Sequence, residues 1–169
     1  SEMCIRDSSK IGSKPEMELI YVNEVLENAT EYMRRRVSDK VLITTHLPSD
    51  AEGAMVCLSL FEWVIENLCK NAVDAMNGEG RIDVYMTSEK QQIYIDIKDT
   101  GKGIARKNFK TVFNPGYTTK KRGWGLGLTL AKRIIEDYHA GRIYVKDSEV
   151  GKGTTFRIES VSYTHLRAH

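Results

Sequence analysis

The sequence predicts an α+β fold, a two-layer α/β sandwich in which helices cover one face of a mixed sheet. Three observations predict it. Residues 82–86, 93–97, 142–146 and 154–158 alternate apolar and polar side chains, the pattern of strands with one buried face. Residues 56–76 and 126–139 instead repeat apolar residues at helical spacing. The chain has 169 residues, 41% hydrophobic and 28% charged, a balance that buries a single core in one domain with some tail.

Taken in order, residues 9–18 read as a linker and residues 19–160 as the domain. Asn23 is placed to cap a helix in which Val25, Leu26, Ala29, Tyr32 and Met33 follow at helical spacing. Residues 41–47 read as a strand ended by Pro48. The long helical pattern over 56–76 closes at Asn77-Gly78 and Gly80. Strands 82–86 and 93–97 flank a polar turn, 88–91, and a glycine-punctuated loop follows at 99–103. A short helix is expected over 105–112. Residues 114–125, rich in Gly, Thr and Lys, are expected to form a mobile loop. The amphipathic helix over 126–139 ends at Gly141, and the last two strands join through Gly151 and Gly153. Residues 1–8 and 161–169 show no sustained core pattern. They resemble translated adaptor sequence and are set aside as tails.

Composition excludes several classes. A net charge of +2 argues against a broad nucleic-acid surface. No apolar run approaches the roughly 20 residues of a membrane span, and residues 1–10 lack the apolar centre of a signal peptide. A cytoplasmic location without membrane contact is expected for this segment, any anchor of a longer parent lying outside it. Cys4, Cys57 and Cys69 show neither C-x-x-C pairing nor zinc spacing. On one helix, Cys57 and Cys69 would stand about 18 Å apart, so buried thiols are expected rather than a bridge.

Four segments carry chemistry. In the long helix, Asn67, Asn71 and Asp74 share one face at i, i+4 and i+7, while Leu60, Val64, Leu68 and Ala75 supply apolar contacts. Mid-helix asparagines are poor helix formers, and their carbonyl oxygens are hard ligands suited to Mg²⁺. Next, Asp99-Thr100-Gly101-Lys102-Gly103 follows a strand, where glycines allow close backbone approach to a flat ligand and Asp99 can accept from an exocyclic amine. Alone, such a D-x-G-x-G is usually a turn. Third, Thr118, Thr119, Lys120, Lys121 and Arg122 place three cations after two hydroxyls. Finally Gly123, Gly125, Leu126, Gly127 and Leu128 open the second helix, where bare N–H groups favour an anion. A dinucleotide fingerprint fails because position 128 is leucine and a loop precedes it; a P-loop pattern is absent.

Taken in this order, the four segments resemble the asparagine box, first glycine box, phenylalanine box and second glycine box of the GHKL ATP-binding superfamily. The forms N-L-x-x-N-A and G-x-G-L-G-L-x-x-A-K are similar to those of sensor histidine kinases. The resemblance implies the Bergerat-type ATP-binding fold with a flexible ATP lid, and ATP and Mg²⁺ as cofactors. It implies that Asn71 ligates Mg²⁺, with Asn67, Lys70 and Asp74 beside the nucleotide. Asp99 would read the adenine amino group in a pocket shaped by Gly101, Gly103 and Ile104, with Thr154 or Thr155 lining it. Phe113 would hinge the lid. Lys120, Lys121 or Arg122 would reach the terminal phosphates, and Gly123, Gly125 and Gly127 would line them.

Hydrolysing members of the superfamily carry a glutamate four residues before the metal-binding asparagine. Here Asn67 stands there, and Glu66 points about 100° away around the helix. The resemblance thus implies a kinase that holds ATP for a phosphate acceptor. The acceptor histidine is expected on a dimerisation domain outside this chain, since His46, His139, His165 and His169 lie in unsuitable contexts. A response regulator is an indirect partner, and a homodimer is expected only for the full kinase. An anti-sigma-type serine kinase or a nucleotide-binding regulatory module of the same fold is the alternative reading.

Overall fold

A computed structural model describes residues 15–117 and 127–163. The chain runs β1 (Glu18–Tyr21), α1 (Val22–Arg34), β2 (Val41–His46), β3 (Gly53–Val56), α2 (Leu58–Ala75), β4 (Gly80–Glu89) and β5 (Gln92–Asp99). Two 3₁₀ turns follow, Arg106–Asn108 and Thr111–Phe113. Then come α3 (Gly127–Arg133), a π-helical turn (Ile134–Tyr138), β6 (Arg142–Glu149) and β7 (Gly153–Val161). Five strands form one sheet in the order β2-β4-β5-β7-β6, with β2 and β4 parallel and every other pair antiparallel. This is the mixed sheet and α+β sandwich that the sequence predicts.

The sheet's inner face follows from strand alternation. Ile93, Ile95 and Ile97 of β5 stand beside Ile82, Val84 and Met86 of β4 and beside Phe156 and Ile158 of β7, all buried. Helices α1 and α2 close over this face. In α1, Val22, Val25, Leu26, Ala29 and Met33 are buried at helical spacing. In α2, Leu60, Phe61, Val64, Ile65, Leu68 and Cys69 form the matching stripe. Burying a leucine such as Leu68 stabilises the fold by about 1.5–3 kcal/mol. Helix α2 ends in a left-handed residue, Asn77 (φ 54), with Gly78 N–H bonded to Val73 O at 3.0 Å and Asn77 N–H to Asp74 O at 3.1 Å.

Several local expectations change. Asn23 does not cap α1, which begins one residue earlier. Its amide donates to Pro48 O at 3.0 Å and accepts from Glu52 N–H at 3.0 Å, so it clamps the segment between β2 and β3. Val56 ends β3 instead of starting the long helix, and β3 pairs antiparallel with β1, a small sheet that hydropathy did not reveal. Residues 105–112 make two 3₁₀ turns, not one helix. Residues 161–163 belong to the packed structure: Val161 pairs with Gln92, and Ser162 is 2% exposed with its hydroxyl on Glu52 at 3.0 Å. Hydrogen bonding, invisible to a hydrophobic pattern, holds this end. Cys57 and Cys69 are buried and form no disulfide among the described residues. Burial first, then the Glu66 carboxylate, pushes the Cys69 thiol up to about 12.

Candidate functional site

The inner face changes character along one cross-strand row. Ile43, Ile82, Asp99, Thr154 and Ser148 stand side by side on β2, β4, β5, β7 and β6. The apolar half continues the core, and the polar half ends it. Asp99 is 5% exposed. Its Oδ1 accepts from Gly101 N–H at 2.8 Å and from Thr154 N–H at 3.3 Å. Burial raises its pKa, and the two N–H groups partly offset that rise. No cation pairs with it among the described residues. The carboxylate is thus fixed in direction by backbone and left electrostatically uncompensated.

The loop after Asp99 is pressed between α2 and the β6–β7 turn. Lys102 N–H bonds to Ala75 O at 2.9 Å, and Gly151 N–H to Lys102 O at 2.7 Å. Gly103 adopts φ +78, and a Cβ there would lie 2.2 Å from Glu149 O, so no other residue fits. Ile104 N–H is held by Ser148 Oγ at 2.7 Å, and the Ile104 side chain packs on the core. Thr154 lies on the inner face. Thr155 lies on the opposite face, paired with Lys98. Of the two threonines proposed from sequence, only Thr154 is placed beside Asp99.

The other end of the site lies on α2. Asn67 and Asn71 are half-buried, and Lys70 and Asp74 are exposed on the same helix. Asn67 Nδ2 is buried without a hydrogen-bond partner among the described residues. An orphaned amide costs about 1–3 kcal/mol, which a ligand oxygen would relieve. Gly127 opens α3 directly against this amide: a Cβ there would meet Asn67 Nδ2 at 2.9 Å. The asparagine helix and Gly127, the last glycine of the second glycine segment, therefore meet in space. Leu128 is partly buried and packs against the core. Thr118, Thr119, Lys120, Lys121, Arg122, Gly123, Gly125 and Leu126 lie outside the described residues.

Phe113 is buried edge-on against Phe156, with ring centroids 6.1 Å apart. Its carbonyl accepts from Thr129 Oγ1 at 2.8 Å. It therefore pins the start of the 114–126 segment to both the sheet and α3. A cleft of about 570 Å³ opens beyond Phe113, lined among others by Phe109, Lys110, Lys132 and Tyr144, and Asp99 is not part of it. Its Lys132 ammonium is already paired with Glu136 at 2.9 Å.

Donor chemistry decides whether Mg²⁺ fits. No cluster of three or more His, Cys, Asp or Glu capable of holding a metal occurs among the described residues. Mg²⁺ in phosphate sites takes one or two protein oxygens and draws the remainder from phosphates and water. One amide oxygen from Asn71, a turn away from the orphaned Asn67 amide, fits that mode. Both described histidines are engaged within the fold. His139 is 8% exposed; its Nε2 accepts from Cys57 N–H at 3.0 Å, which leaves Nδ1–H to donate to Ile134 O at 2.9 Å. His46 stacks on Tyr85 and bonds Asp83 at 2.8 Å on the sheet's outer face.

Fold and site together define a two-layer α/β sandwich with polar residues at the end of the sheet's inner face and on α2, where the start of α3 meets Asn67. The family of histidine kinase-, DNA gyrase B-, and HSP90-like ATPases matches residues 58–164. The chain belongs to this family. Sporulation kinase A of Bacillus subtilis (strain 168) is 42% identical over 95 residues, which cover 56% of this chain and 15% of that protein. The nucleotide-free catalytic domain of histidine kinase ThkA superposes with a TM-score of 0.77 at 22% identity, covering 86% of this chain and 95% of that one. ThkA in complex with the response regulator protein TrrA superposes with a TM-score of 0.76 at 20% identity, covering 95% and 46% of the two chains. The chain thus spans a small part of the length of sporulation kinase A and superposes on nearly the whole of the ThkA catalytic domain.

Proposed function

We propose that this chain binds Mg-ATP and transfers the γ-phosphate to a histidine on a separate dimerisation domain, as the catalytic part of a two-component sensor kinase. The carrying observation is Asp99: a buried carboxylate held by two backbone N–H groups, with no cation among the described residues, at the polar end of the inner face. Such a group is expensive to bury, and a purine amino group supplies the donor it lacks. Asn67 Nδ2 supplies a donor for phosphate oxygen, Lys70 a nearby positive charge, and Asn71 Oδ1 a hard oxygen for Mg²⁺. The metal, when bound, neutralises phosphate charge. Lys120, Lys121 and Arg122 are the cations proposed for the terminal phosphates.

In the transfer, an imidazole nitrogen of the partner domain attacks the γ-phosphorus, the bond to the β-phosphate oxygen breaks, and ADP leaves. The imidazole proton passes to solvent. This chain contributes positioning and charge, which dominate phosphoryl transfer. Asn67 offers no carboxylate to activate water, so the bound nucleotide waits for its acceptor. A response regulator receives the phosphate from the dimerisation domain, in line with the complex in which ThkA was solved.

The test is incubation with γ-labelled ATP, alone and with a separately expressed dimerisation domain from the same parent protein. Acid-labile label on the added domain only, lost in Asn71→Ala, is expected. Acid-labile label on the isolated chain, or transfer that survives Asn71→Ala, contradicts the reading. Acid-stable label on serine would favour the serine-kinase alternative.

A further inference from the structure

We infer that Ser148 is a positioning residue that sets selectivity for a 6-aminopurine over a 6-oxopurine by accepting the hydrogen bond that the Thr154 hydroxyl donates. This rests on the proposed ATP-binding reading of Asp99. It starts from a register irregularity in β6. Val145 pairs with Phe156, but the next pair is Asp147 with Thr155, so Lys146 is an inserted residue. A bulge of this kind re-aims every side chain beyond it. With continuous register Asp147 would face Thr154; with the bulge Ser148 does. The bulge thereby keeps a second carboxylate out of the row that holds Asp99, where like charge would add to its burial penalty.

Ser148 Oγ makes three hydrogen bonds. Ile104 N–H donates to it at 2.7 Å, it lies 2.9 Å from Gly153 O, and it lies 2.8 Å from Thr154 Oγ1. A serine hydroxyl has one proton and two acceptor sites. A carbonyl only accepts, so the Ser148 proton goes to Gly153 O. The proton between the two hydroxyls is therefore that of Thr154, and both acceptor sites of Ser148 are filled. Thr154 has no proton left to give a ligand, and its oxygen offers lone pairs alone. Asp99, its neighbour in the row, is likewise an acceptor. The edge of the site formed by this pair is thus acceptor-only, matched to an amino group and mismatched to a carbonyl. Ser148 touches no base itself; it acts through Thr154 and through the Ile104 end of the glycine loop.

The test compares ATP with inosine triphosphate, which differs by the 6-oxo group and its ring proton, in calorimetric titrations of the whole chain. Wild type is expected to prefer ATP by about tenfold or more. Ser148→Ala frees the Thr154 proton and is expected to reduce that ratio at least threefold. Ser148→Thr, which keeps the hydroxyl, should restore it, and Ser148→Cys, which keeps the volume with weaker hydrogen bonds, should show the same fall as alanine. In a Thr154→Val background, Ser148→Ala should leave the ratio unmoved. An unchanged ratio in both Ser148→Ala and Ser148→Cys, with both nucleotides weakened equally, would reduce Ser148 to a scaffold residue and overturn the inference while leaving the ATP reading intact. Absence of ATP binding in wild type would instead overturn the ATP reading, and this inference with it.

Discussion

Asp83, Asp96 and Asp99 belong to one sheet and are almost equally hidden, at 8%, 8% and 5% exposure, yet they are compensated in opposite ways. Asp83 and Asp96 face outward. Arg81 Nε bonds Asp83 at 2.8 Å and His46 bonds it at 2.8 Å; the Arg81 hydrogen bonds above all hold its carboxyl below the usual range. Asp96 receives a fork from Arg157 at 2.6 and 2.8 Å, with Lys146 at 3.4 Å. Asp99 faces inward, receives only backbone N–H groups among the described residues, and is pushed up by burial. Two carboxylates are closed into networks that finish the sheet's solvent face. The third is held in place by backbone with no cation beside it among the described residues, which suits the ligand role proposed for it.

The contrast predicts that outer-face substitutions cost stability and leave binding alone. Arg157→Ala strands Asp96 near the surface with one remaining cation, and is expected to lower unfolding free energy by about 2–3 kcal/mol. Urea titration measures the loss, and ATP affinity should remain within twofold. A variant of normal stability with impaired nucleotide binding would break the division between the two faces.

The acid dependence of folding sharpens the comparison, because it depends on a buried residue that belongs to neither carboxylate environment, His139, packed against Phe61 of α2. His139 is neutral in the fold, and burial depresses its pKa from the ordinary 6.5. Its contribution is fully present above that unfolded value and is lost as pH falls below 6.5 towards the depressed folded value. The slope there approaches about 1.4 kcal/mol per pH unit. Unfolding midpoints between pH 7.5 and 5.5 should fall in wild type and flatten in His139→Gln. An equal slope in the variant would assign the acid sensitivity elsewhere.

A smaller effect is expected at Asn23. Asn23→Ala removes the clamp on Pro48 and Glu52 and should cost about 1 kcal/mol, with no change in nucleotide affinity. A larger loss, or weakened ATP binding, would mean that the β2–β3 segment communicates with the site.

Much of this contrast was legible in the sequence, for reasons that can be named. Alternation at 93–97 and 154–158 marks which residues face inward: Thr154 is in phase with Phe156 and Ile158, and one further period beyond Ile97 reaches Asp99. The same alternation could have chosen Thr154 over Thr155, since Phe156 and Ile158 are the apolar partners in period two. Asn67 and Asn71 stood out because asparagine is a poor mid-helix residue. Other features carried no such signal. Strands β1 and β3 are four residues each, too short for a pattern to emerge. Asn23 fitted a capping rule locally, but contacts about 25 to 29 positions away took its side chain. Ser148 was hidden because its role depends on the inserted Lys146, and a bulge shifts register without a hydropathy mark.

The most direct measurement is a calorimetric titration of Asp99→Asn with ATP and with inosine triphosphate, beside a melting curve of the nucleotide-free protein. Asparagine keeps the Oδ1 acceptor for Gly101 and Thr154 but replaces the second acceptor oxygen with a donor. The account predicts that ATP affinity falls about 10- to 100-fold, corresponding to about 1–3 kcal/mol, and that the preference shifts towards the 6-oxopurine. Because burying the Asp99 charge is destabilising above its raised folded pKa, the variant should melt no lower than wild type near neutral pH. That advantage should shrink as pH falls towards 3.8, the ordinary aspartate value. Unchanged ATP affinity and unchanged preference in a folded Asp99→Asn protein would contradict the assignment of Asp99 as the purine-reading group.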